Sequence, residues 1–467
     1  MRPANTIEIG LKDHSMMLID AEGHQLKELS EYFSFFVPGH RYMPAFKRKV
    51  WDGKIRLFNQ MTRELNVGLY PHIKKFALDR MYPIQLVDND EYGHPEVKNK
   101  IQHKSLIKYL DSLDAPFEIR DYQYDAISHG IENKRCLLLS PTGSGKSFII
   151  YNLLRWYADN HDKKMLVIVP TTSLVEQLYK DFYEYGFDVD NEVHRIYSGK
   201  DKITDKRIII STWQSIYRLK FDWFEQFGAV FGDEVHLFKA KSLTGVMNKC
   251  KNAEYRFGTT GTLDDTQTHQ LVLEGLFGTM FNVTSTKDLI DADYLSKFQI
   301  KILILKYDKD TSKLVKKMSY QEEVDFIVNH EKRNKFIRNL AIDQKGNTLL
   351  LFQFVEKHGK ILYDLIVEKA NNDRKVFFVH GGIDGDQREE IRRITEQERD
   401  AIIVASYGTF STGINIRNLH NIIFASPSKS KIRNLQSIGR GLRKSENKKE
   451  AVLYDIADNM QDGAKPN

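Results

Sequence analysis

Cysteine is scarce in this chain, with two in 467 residues, Cys136 and Cys250. Two thiols cannot build a zinc cluster and suggest no disulfide framework. A reducing, cytoplasmic setting is therefore expected. No apolar run reaches the length of a membrane span. Met1-Arg2-Pro3-Ala4-Asn5 has no apolar stretch behind it, so no signal peptide is expected. There is no short-period repeat and no low-complexity tract. Neither charge sign dominates: 69 Lys and Arg stand against 63 Asp and Glu, a net charge of +6. That balance permits nucleic acid as a partner without demanding it.

The length exceeds one ordinary core, so two or three domains are expected. A composition of 41% hydrophobic and 28% charged residues describes a globular protein. Short apolar runs of strand length occur at 136–139, 165–169, 207–210, 229–231, 255–258, 348–352, 375–379, 401–405, 421–425 and 451–454. Helical stretches separate them. Strands that stay apolar without alternating belong to parallel sheets buried on both faces. Strand–helix alternation implies right-handed βαβ units, whose ligands bind beyond the carboxyl ends of the strands. The runs fall into two blocks, 114–283 and 298–467, with 284–297 read as a linker. Residues 1–113 read as a separate small α+β domain. It has strand-like pieces at 6–11, 16–19 and 55–58 and a helical piece at 25–36. In the second block, Val324, Ile327, Val328, Phe336, Ile337 and Leu340 trace one apolar helical face.

The turns after these runs carry the chemistry. Ser140-Pro141-Thr142-Gly143-Ser144-Gly145-Lys146-Ser147 follows an apolar strand and opens a helix with Ile149, Ile150, Leu153, Leu154 and Tyr157 on one side. A glycine turn, Lys-Ser and a helix N-terminus form a phosphate-binding loop, in which backbone N–H groups and the lysine hold polyphosphate. The familiar pattern opens with Gly or Ala, and here that place is Ser140. Asp233-Glu234 follows the run 228–231, where an aspartate can hold Mg²⁺ and a glutamate can polarise an attacking water. Alone, such a pair reads equally well as surface carboxylates. His236 is positioned to hydrogen-bond the turn Thr260-Gly261-Thr262. Arg440 and Arg443 share a helical face, and guanidinium groups match phosphate oxygens. Alone, they read more readily as an exposed basic face.

In chain order these stretches resemble the motifs of superfamily 2 helicases. Arg120-Asp121-Tyr122-Gln123 resembles the adenine-reading Q motif, and 140–147 resembles motif I. Val169-Pro170-Thr171-Thr172-Ser173-Leu174 is similar to motif Ia and Asp233-Glu234-Val235-His236 to motif II. Thr260-Gly261-Thr262 stands where motif III has Ser-Ala-Thr. Leu350-Leu351-Phe352 resembles motif IV. Ala405-Ser406-Tyr407-Gly408, continuing to Ser411-Thr412-Gly413-Ile414-Asn415, resembles motif V. The run from Gln436 to Arg443 resembles motif VI. Within the superfamily the likeness is to phage UvsW-type recombination helicases. It is carried by Phe46-Lys47-Arg48-Lys49-Val50-Trp51-Asp52-Gly53-Lys54-Ile55-Arg56-Leu57 and by 402–413.

The resemblance implies an α/β fold of two tandem RecA-like parallel-sheet domains behind a small α+β N-terminal domain. It implies ATP and Mg²⁺ as cofactors, and ATP-dependent unwinding and branch migration of forked or junction DNA, moving 3′ to 5′, in recombination, replication-fork rescue and repair. Arg120, Gln123, Thr142, Gly143, Ser144, Gly145, Lys146, Ser147 and Gly413 would bind nucleotide, with Ser147 and Asp233 holding the metal. Lys146, Glu234, Gln436, Arg440 and Arg443 would be catalytic, and His236, Thr260 and Thr262 would couple the nucleotide to motion. Nucleic acid would cross Thr171, Trp213, Gln214, Gly381 and Ser406. Lys47, Arg48 and Trp51 mix charge with an aromatic ring, which suits phosphate gripping and base stacking. Equally, Phe46 and Trp51 read as core under surface lysines, and Trp51-Asp52-Gly53 as a turn between strands. A monomer is expected, in the host cytoplasm if phage-encoded, with recombination or replication proteins as possible partners. Two other readings stay open: an RNA-remodelling helicase with the same engine, and a clamp that uses ATP to lock onto nucleic acid without unwinding.

Overall fold

The computed structural model describes residues 5–460 apart from 239, 264–266, 371–373, 384, 410–415, 417, 428–437, 440–441, 443–447 and 449. The chain divides into two compact units, Met1–Thr284 and Ser285–Asn467.

The first unit opens with an antiparallel pair, β1 (Ile7–Leu11) and β2 (Met16–Asp20). Ile7, Ile9 and Leu11 alternate inward, as a sheet with one buried face requires. The helix Gly23–Tyr32 follows. It is shorter than the helical stretch expected over 25–36, because the aromatic residues after it form a strand instead. β3 (Ser34–Phe36) pairs antiparallel with β4 (Lys54–Arg56). Aromatic side chains favour that extended conformation. β5 (Glu64–Asn66) and β6 (Ile84–Val87) complete a sheet in the order β5-β2-β1-β6. The helix His103–Ser112 buries Leu106 and Leu110 in the core of the next sheet, not in that of the small domain.

That next sheet contains β7 (Arg135–Leu139), β8 (Lys164–Val169), β9 (Val193–Ile196), β10 (Ile208–Thr212), β11 (Phe227–Gly232), β12 (Tyr255–Thr260) and β13 (Met280–Asn282). Among the described residues the order is β13-β7-β12-β11-β8-β10-β9, every pair parallel. The apolar runs are explained by two cores. Met165, Val167 and Val169 face one, and Leu166 and Ile168 face the other. β9 and β13 were not expected from sequence; both are short edge strands with mixed polarity.

The small domain is bonded firmly to this sheet. Arg256, at the start of β12 and 1% exposed, donates to Ser15 Oγ at 2.6 Å and to the carbonyls of Cys250, Met247 and Ala253. Asn66 Nδ2 donates to Asn248 Oδ1 at 3.1 Å, and His72 Nε2 lies 2.6 Å from Glu274 Oε2.

The second unit begins with the helix Thr286–Asp291, capped by Ser285, inside the segment expected to link the blocks. Its strands are β14 (Lys297–Lys306), β15 (Thr348–Phe352), β16 (Val376–Val379), β17 (Ile402–Ser406), β18 (Asn421–Phe424) and β19 (Glu450–Asn459). Among the described residues they form a parallel sheet in the order β14-β19-β18-β15-β17-β16. β14 is an edge with Ile300, Ile302 and Ile304 all more than half exposed. The single apolar face expected across 324–340 is carried by two helices, Tyr320–Asn329 and Glu331–Asp343. His330 ends the first and caps the second by accepting from Arg333 N at 3.2 Å. Arg333 and Asp458 form a fully buried ion pair at 2.9 Å, and Tyr307 also donates to Asp458 at 2.7 Å. These contacts tie that second helix to the end of β19.

Close backbone approach at Gly68 gives a test of the domain junction. A Cβ there would lie 2.0 Å from the Glu274 carbonyl oxygen and 2.7 Å from that of Gly275. Gly68→Ala is expected to cost about 1–3 kcal/mol of stability, the usual penalty for overpacking. Urea unfolding would measure it; an unchanged midpoint would show that the two domains are not held this tightly.

Candidate active site

The strand ends of β7, β12 and β11 lie side by side and converge on one edge. β7 runs into Ser140, whose N–H donates to Thr260 O at 2.8 Å. Gly143 and Gly145 adopt φ of +88° and +84°, the left-handed region that glycine enters without strain. Gly145 is the N-cap of the fifteen-residue helix Lys146–Asn160 and offers no side-chain cap. The helix therefore presents its first N–H groups and the positive end of its dipole to the turn. Ser140, the departure from the familiar Gly or Ala, has a purpose here. Its hydroxyl lies 2.5 Å from Ser144 Oγ, which donates to Pro141 O at 2.7 Å, so the turn is braced from within.

Lys146 Nζ lies 3.3 Å from Ser140 O and 3.3 Å from Glu234 Oε1. It thus bridges the phosphate loop to the acidic turn. Asp233 N continues the sheet by donating to Ile168 O at 3.0 Å. The Asp233 carboxylate, 5% exposed, accepts from Thr259 Oγ1 at 2.6 Å and from Glu234 N at 2.9 Å. Burial, and then the adjacent Glu234 charge, push this carboxyl above the ordinary aspartate range, while Lys146 and the Thr259 hydrogen bond oppose the rise. Glu234 holds φ +49°, a left-handed conformation that costs a non-glycine residue energy.

The acidic turn is bonded to the next loop. Thr260 Oγ1 donates to Thr262 O at 2.8 Å and lies 2.7 Å from His236 Nδ1. A hydroxyl has one proton, so the imidazole is the donor in the second bond, which puts its hydrogen on Nδ1. His236, Thr260 and Thr262 are therefore physically connected, as their sequence positions led us to expect.

The Arg120–Gln123 segment converges on the same loop. Gln123 Oε1 accepts from Arg120 N at 3.0 Å, and its Nε2 donates to Ser144 O at 2.9 Å. Tyr122 Oη donates to the same carbonyl at 3.1 Å and accepts from Arg120 Nη1 at 2.7 Å. Thr259 and Tyr122 had been given no role of their own from sequence, and the Ser140–Ser144 hydrogen bond was not foreseen. The available signal for Thr259 was a hydroxyl one residue before Thr260-Gly261-Thr262.

The donors suit a nucleotide with a hard dication. The uncapped helix end and Lys146 fit polyphosphate. Ser147 and Asp233 carry oxygen donors, the type Mg²⁺ prefers. Among the described residues no three His, Cys, Asp or Glu gather as a metal set.

Other candidates are spread out. Thr171 Oγ1 accepts from Leu174 N at 3.4 Å and caps the helix Thr172–Glu184. Gln214 Nε2 donates to Pro170 O at 3.2 Å, and Trp213 packs on the second core, so the ends of β8 and β10 are tied together. Gly381 is exposed after β16. Ser406 is buried, with its hydroxyl donating to Thr409 Oγ1 at 2.8 Å, and so it is not presented at the surface. Lys47 and Arg48 are exposed around the four-residue helix Pro44–Lys47. Trp51 is half-buried and donates to Lys54 O at 2.8 Å, closing the turn into β4; neither it nor Phe46 is core. Gly413, Gln436, Arg440 and Arg443 lie outside the described residues.

Comparison with known proteins agrees with this architecture. Residues 6–88 match the family described as DNA helicase UvsW, N-terminal. Residues 116–265 match Type III restriction enzyme, res subunit, and 331–445 match Helicase conserved C-terminal domain. The ATP-dependent DNA helicase uvsW of Enterobacteria phage T4 is 35% identical over 98% of this chain and 92% of its own. The chain belongs to the UvsW helicase family. The crystal structure of T4 UvsW superposes with a TM-score of 0.56 at 34% identity, covering 97% of this chain and 91% of the other. A more distant relative of this UvsW-family chain is the DNA 3'-5' translocase XPB2 of Sulfurisphaera tokodaii, 24% identical over 91% of the chain and 95% of its own. Both RecA-like parallel sheets and the UvsW-type N-terminal domain are as expected.

Gly145 provides the test of the loop geometry. A Cβ there would lie 2.4 Å from Gln123 Nε2, on a backbone already at positive φ. Gly145→Ala is expected to lose about 1–3 kcal/mol, from overpacking and left-handed strain together. In a Gln123→Ala background the loss is expected to shrink, because only the backbone strain remains. A double-mutant cycle by denaturant unfolding reads the difference; equal losses in both backgrounds would remove Gln123 from the loop.

Proposed function

We propose that this chain is an ATP-dependent DNA helicase that unwinds and branch-migrates forked or junction DNA. The observation that carries the reading is Lys146 held between Ser140 O and Glu234, with Asp233 locked beside it by Thr259, in a UvsW-family chain. That is the constellation a nucleoside-triphosphate hydrolase needs.

In this reading Lys146 and the N–H groups of Thr142, Gly143, Ser144, Gly145 and Ser147 hold the terminal phosphates. Arg120 and Gln123 lie at the base end, and Gly413 is taken as a further nucleotide-binding residue. Ser147 and Asp233 would hold Mg²⁺, which when bound neutralises charge on the phosphates. Glu234 orients and polarises the attacking water. Gln436, Arg440 and Arg443 are taken as further catalytic residues, and a guanidinium finger of this kind is worth ~10³–10⁵ in rate. His236, Thr260 and Thr262 pass the state of the nucleotide to the rest of the sheet. Differential affinity for DNA in two states gives directed steps.

Thr171, Trp213, Gln214 and Gly381 are proposed to follow the nucleic-acid backbone. Lys47, Arg48 and Trp51 of the small domain are proposed to grip the junction. Movement 3′ to 5′ is supported by the family resemblance and by the name of the Sulfurisphaera relative. We take the working form as a monomer in the cytoplasm, that of the host if the chain is phage-encoded, acting with recombination or replication proteins. Among the described residues no helix is long and apolar enough to cross a membrane. We divide the chain at 1–113, 114–283, 284–297 and 298–467, as DNA-binding domain, first motor domain, linker and second motor domain.

Lys146→Ala is expected to abolish DNA-stimulated ATP hydrolysis while far-ultraviolet circular dichroism stays unchanged. Wild-type hydrolysis and unwinding should be stimulated more by a fork or four-way junction than by structured RNA of equal length. Full turnover in the Lys146 variant would remove the site, and equal or greater stimulation by RNA would turn the reading to an RNA-remodelling enzyme.

A further inference from the structure

We propose that the cavity between the small amino-terminal domain and the first motor sheet is a second anion site, one that takes a phosphate group. It lies at the amino ends of β7 and β12, opposite the edge that carries the glycine turn. The inference goes beyond the helicase reading and does not rest on it.

The cavity has a volume of about 690 Å³, within the ~300–1,000 Å³ usual for small-molecule sites. Four cations line it: Lys74, Lys98, Lys134 and Arg135. Two carboxylates face them, and each is already engaged. Glu96 accepts from Lys74 at 2.6 Å and from Tyr70 Oη at 2.9 Å. Glu254 accepts from Lys134 at 2.5 Å. Arg135 and Lys98 are left to give the cavity its net positive charge. Arg135 donates from Nη2 to the His14 carbonyl at 3.2 Å, a neutral acceptor. Lys98 stands exposed at the rim.

Sheet register deepens the imbalance. Arg135 and Arg256 are direct partners on adjacent parallel strands. The Arg256 guanidinium donates to Ser15 Oγ and to three carbonyls, and none of these cancels its charge. Burial and then Arg256 pull the Arg135 guanidinium down to about 9, although Glu254 and Asp13 oppose this. Burial, with Arg135, Arg256, Lys134 and Lys163 around it, lowers the His14 imidazole to about 3, so that ring is neutral at pH 7. Two arginines side by side are costly, Glu254 and Asp13 offset that cost only in part, and an anion between the domains offsets the rest. Guanidinium and ammonium donors favour phosphate oxygens. Beside them Tyr92 meets the His14 ring edge-on at 5.1 Å, and His129 is stacked on Phe281 at 4.3 Å. These rings give a flat group attached to the phosphate something to pack on. A free nucleotide and the phosphorylated end of a DNA strand share this chemistry.

The test uses the full chain carrying Lys146→Ala, which removes the lysine of the glycine turn. Binding of pyrophosphate, dAMP and a 5′-phosphorylated oligothymidylate is measured by calorimetry, with the unphosphorylated oligonucleotide for comparison. We expect one equivalent of a phosphate-bearing probe to bind. Lys98→Ala should weaken that binding about tenfold, the scale of one charge-assisted contact, and Arg135→Gln should weaken it further. Lys98 is exposed, so its variant stays informative even if Arg135→Gln destabilises the fold. Binding of pyrophosphate or dAMP identifies a free-nucleotide site; binding of only the phosphorylated oligonucleotide identifies a strand-end site. No binding of any probe at millimolar concentration, or binding indifferent to Lys98→Ala, overturns the proposal. ATP hydrolysis by the Lys98→Ala single variant should stay at the wild-type level, which separates this result from the helicase assay.

Discussion

Parallel pairing of three neighbouring strands is the constraint on which the rest depends. β12 lies between β7 and β11, with Thr260 beside Leu139 and Gly258 beside Gly232. Because the strands run the same way, their carboxyl ends finish together. Ser140, Thr259, Thr260 and Asp233 are thereby set in one row, although well over a hundred positions separate the first from the third along the chain. The middle strand supplies the hydroxyls, and those hydroxyls reach sideways to the acidic turn. Antiparallel order would have sent half of these groups to the far edge of the sheet.

Much of this was legible in the sequence because the signals were local. A strand buried on both faces reads as an unbroken apolar run, so β7, β8, β15 and β17 could be found without any partner. The glycine turn and the acidic pair each lie within eight consecutive residues. What escaped was set by tertiary contacts. β9, β13 and β14 are edge or near-edge strands whose side chains meet solvent on one side, so the apolar signal thins out. The helix ending at Tyr32 looked longer because Phe33, Phe35 and Phe36 are also compatible with an apolar helical face. Gln123 bonding to Ser144 depends on two elements meeting and leaves no pattern in either one. His330 as a shared cap broke an apolar face that looked continuous.

Cations sit at both ends of the β7–β12 pair, but under different electrostatic conditions. At the carboxyl end, Lys146 is answered directly by Glu234 and lies near Asp233. At the amino end, Arg135 and Arg256 are hydrogen-bonded to peptide carbonyls and a serine hydroxyl, and Glu254 and Asp13 oppose only part of their charge. Carbonyl dipoles satisfy the N–H donors yet leave the net charge in place. The junction between the small domain and the sheet is therefore well bonded and poorly neutralised at the same time.

The ladder between β14 and β19 joins residues 297–306 to residues 450–459, the first and last strands of the second unit. During synthesis, this sheet edge must wait for almost the whole unit to emerge from the ribosome. The first unit, with its most distant strand pairs already made by residue 282, has its full set of partners much earlier. Among the described residues, until β19 arrives β18 is left with an open flank and β14, with Ile300, Ile302 and Ile304, has no ladder at all. Vectorial folding thus leaves a newly made chain with a sticky, half-finished carboxyl half for the time needed to translate some 150 residues.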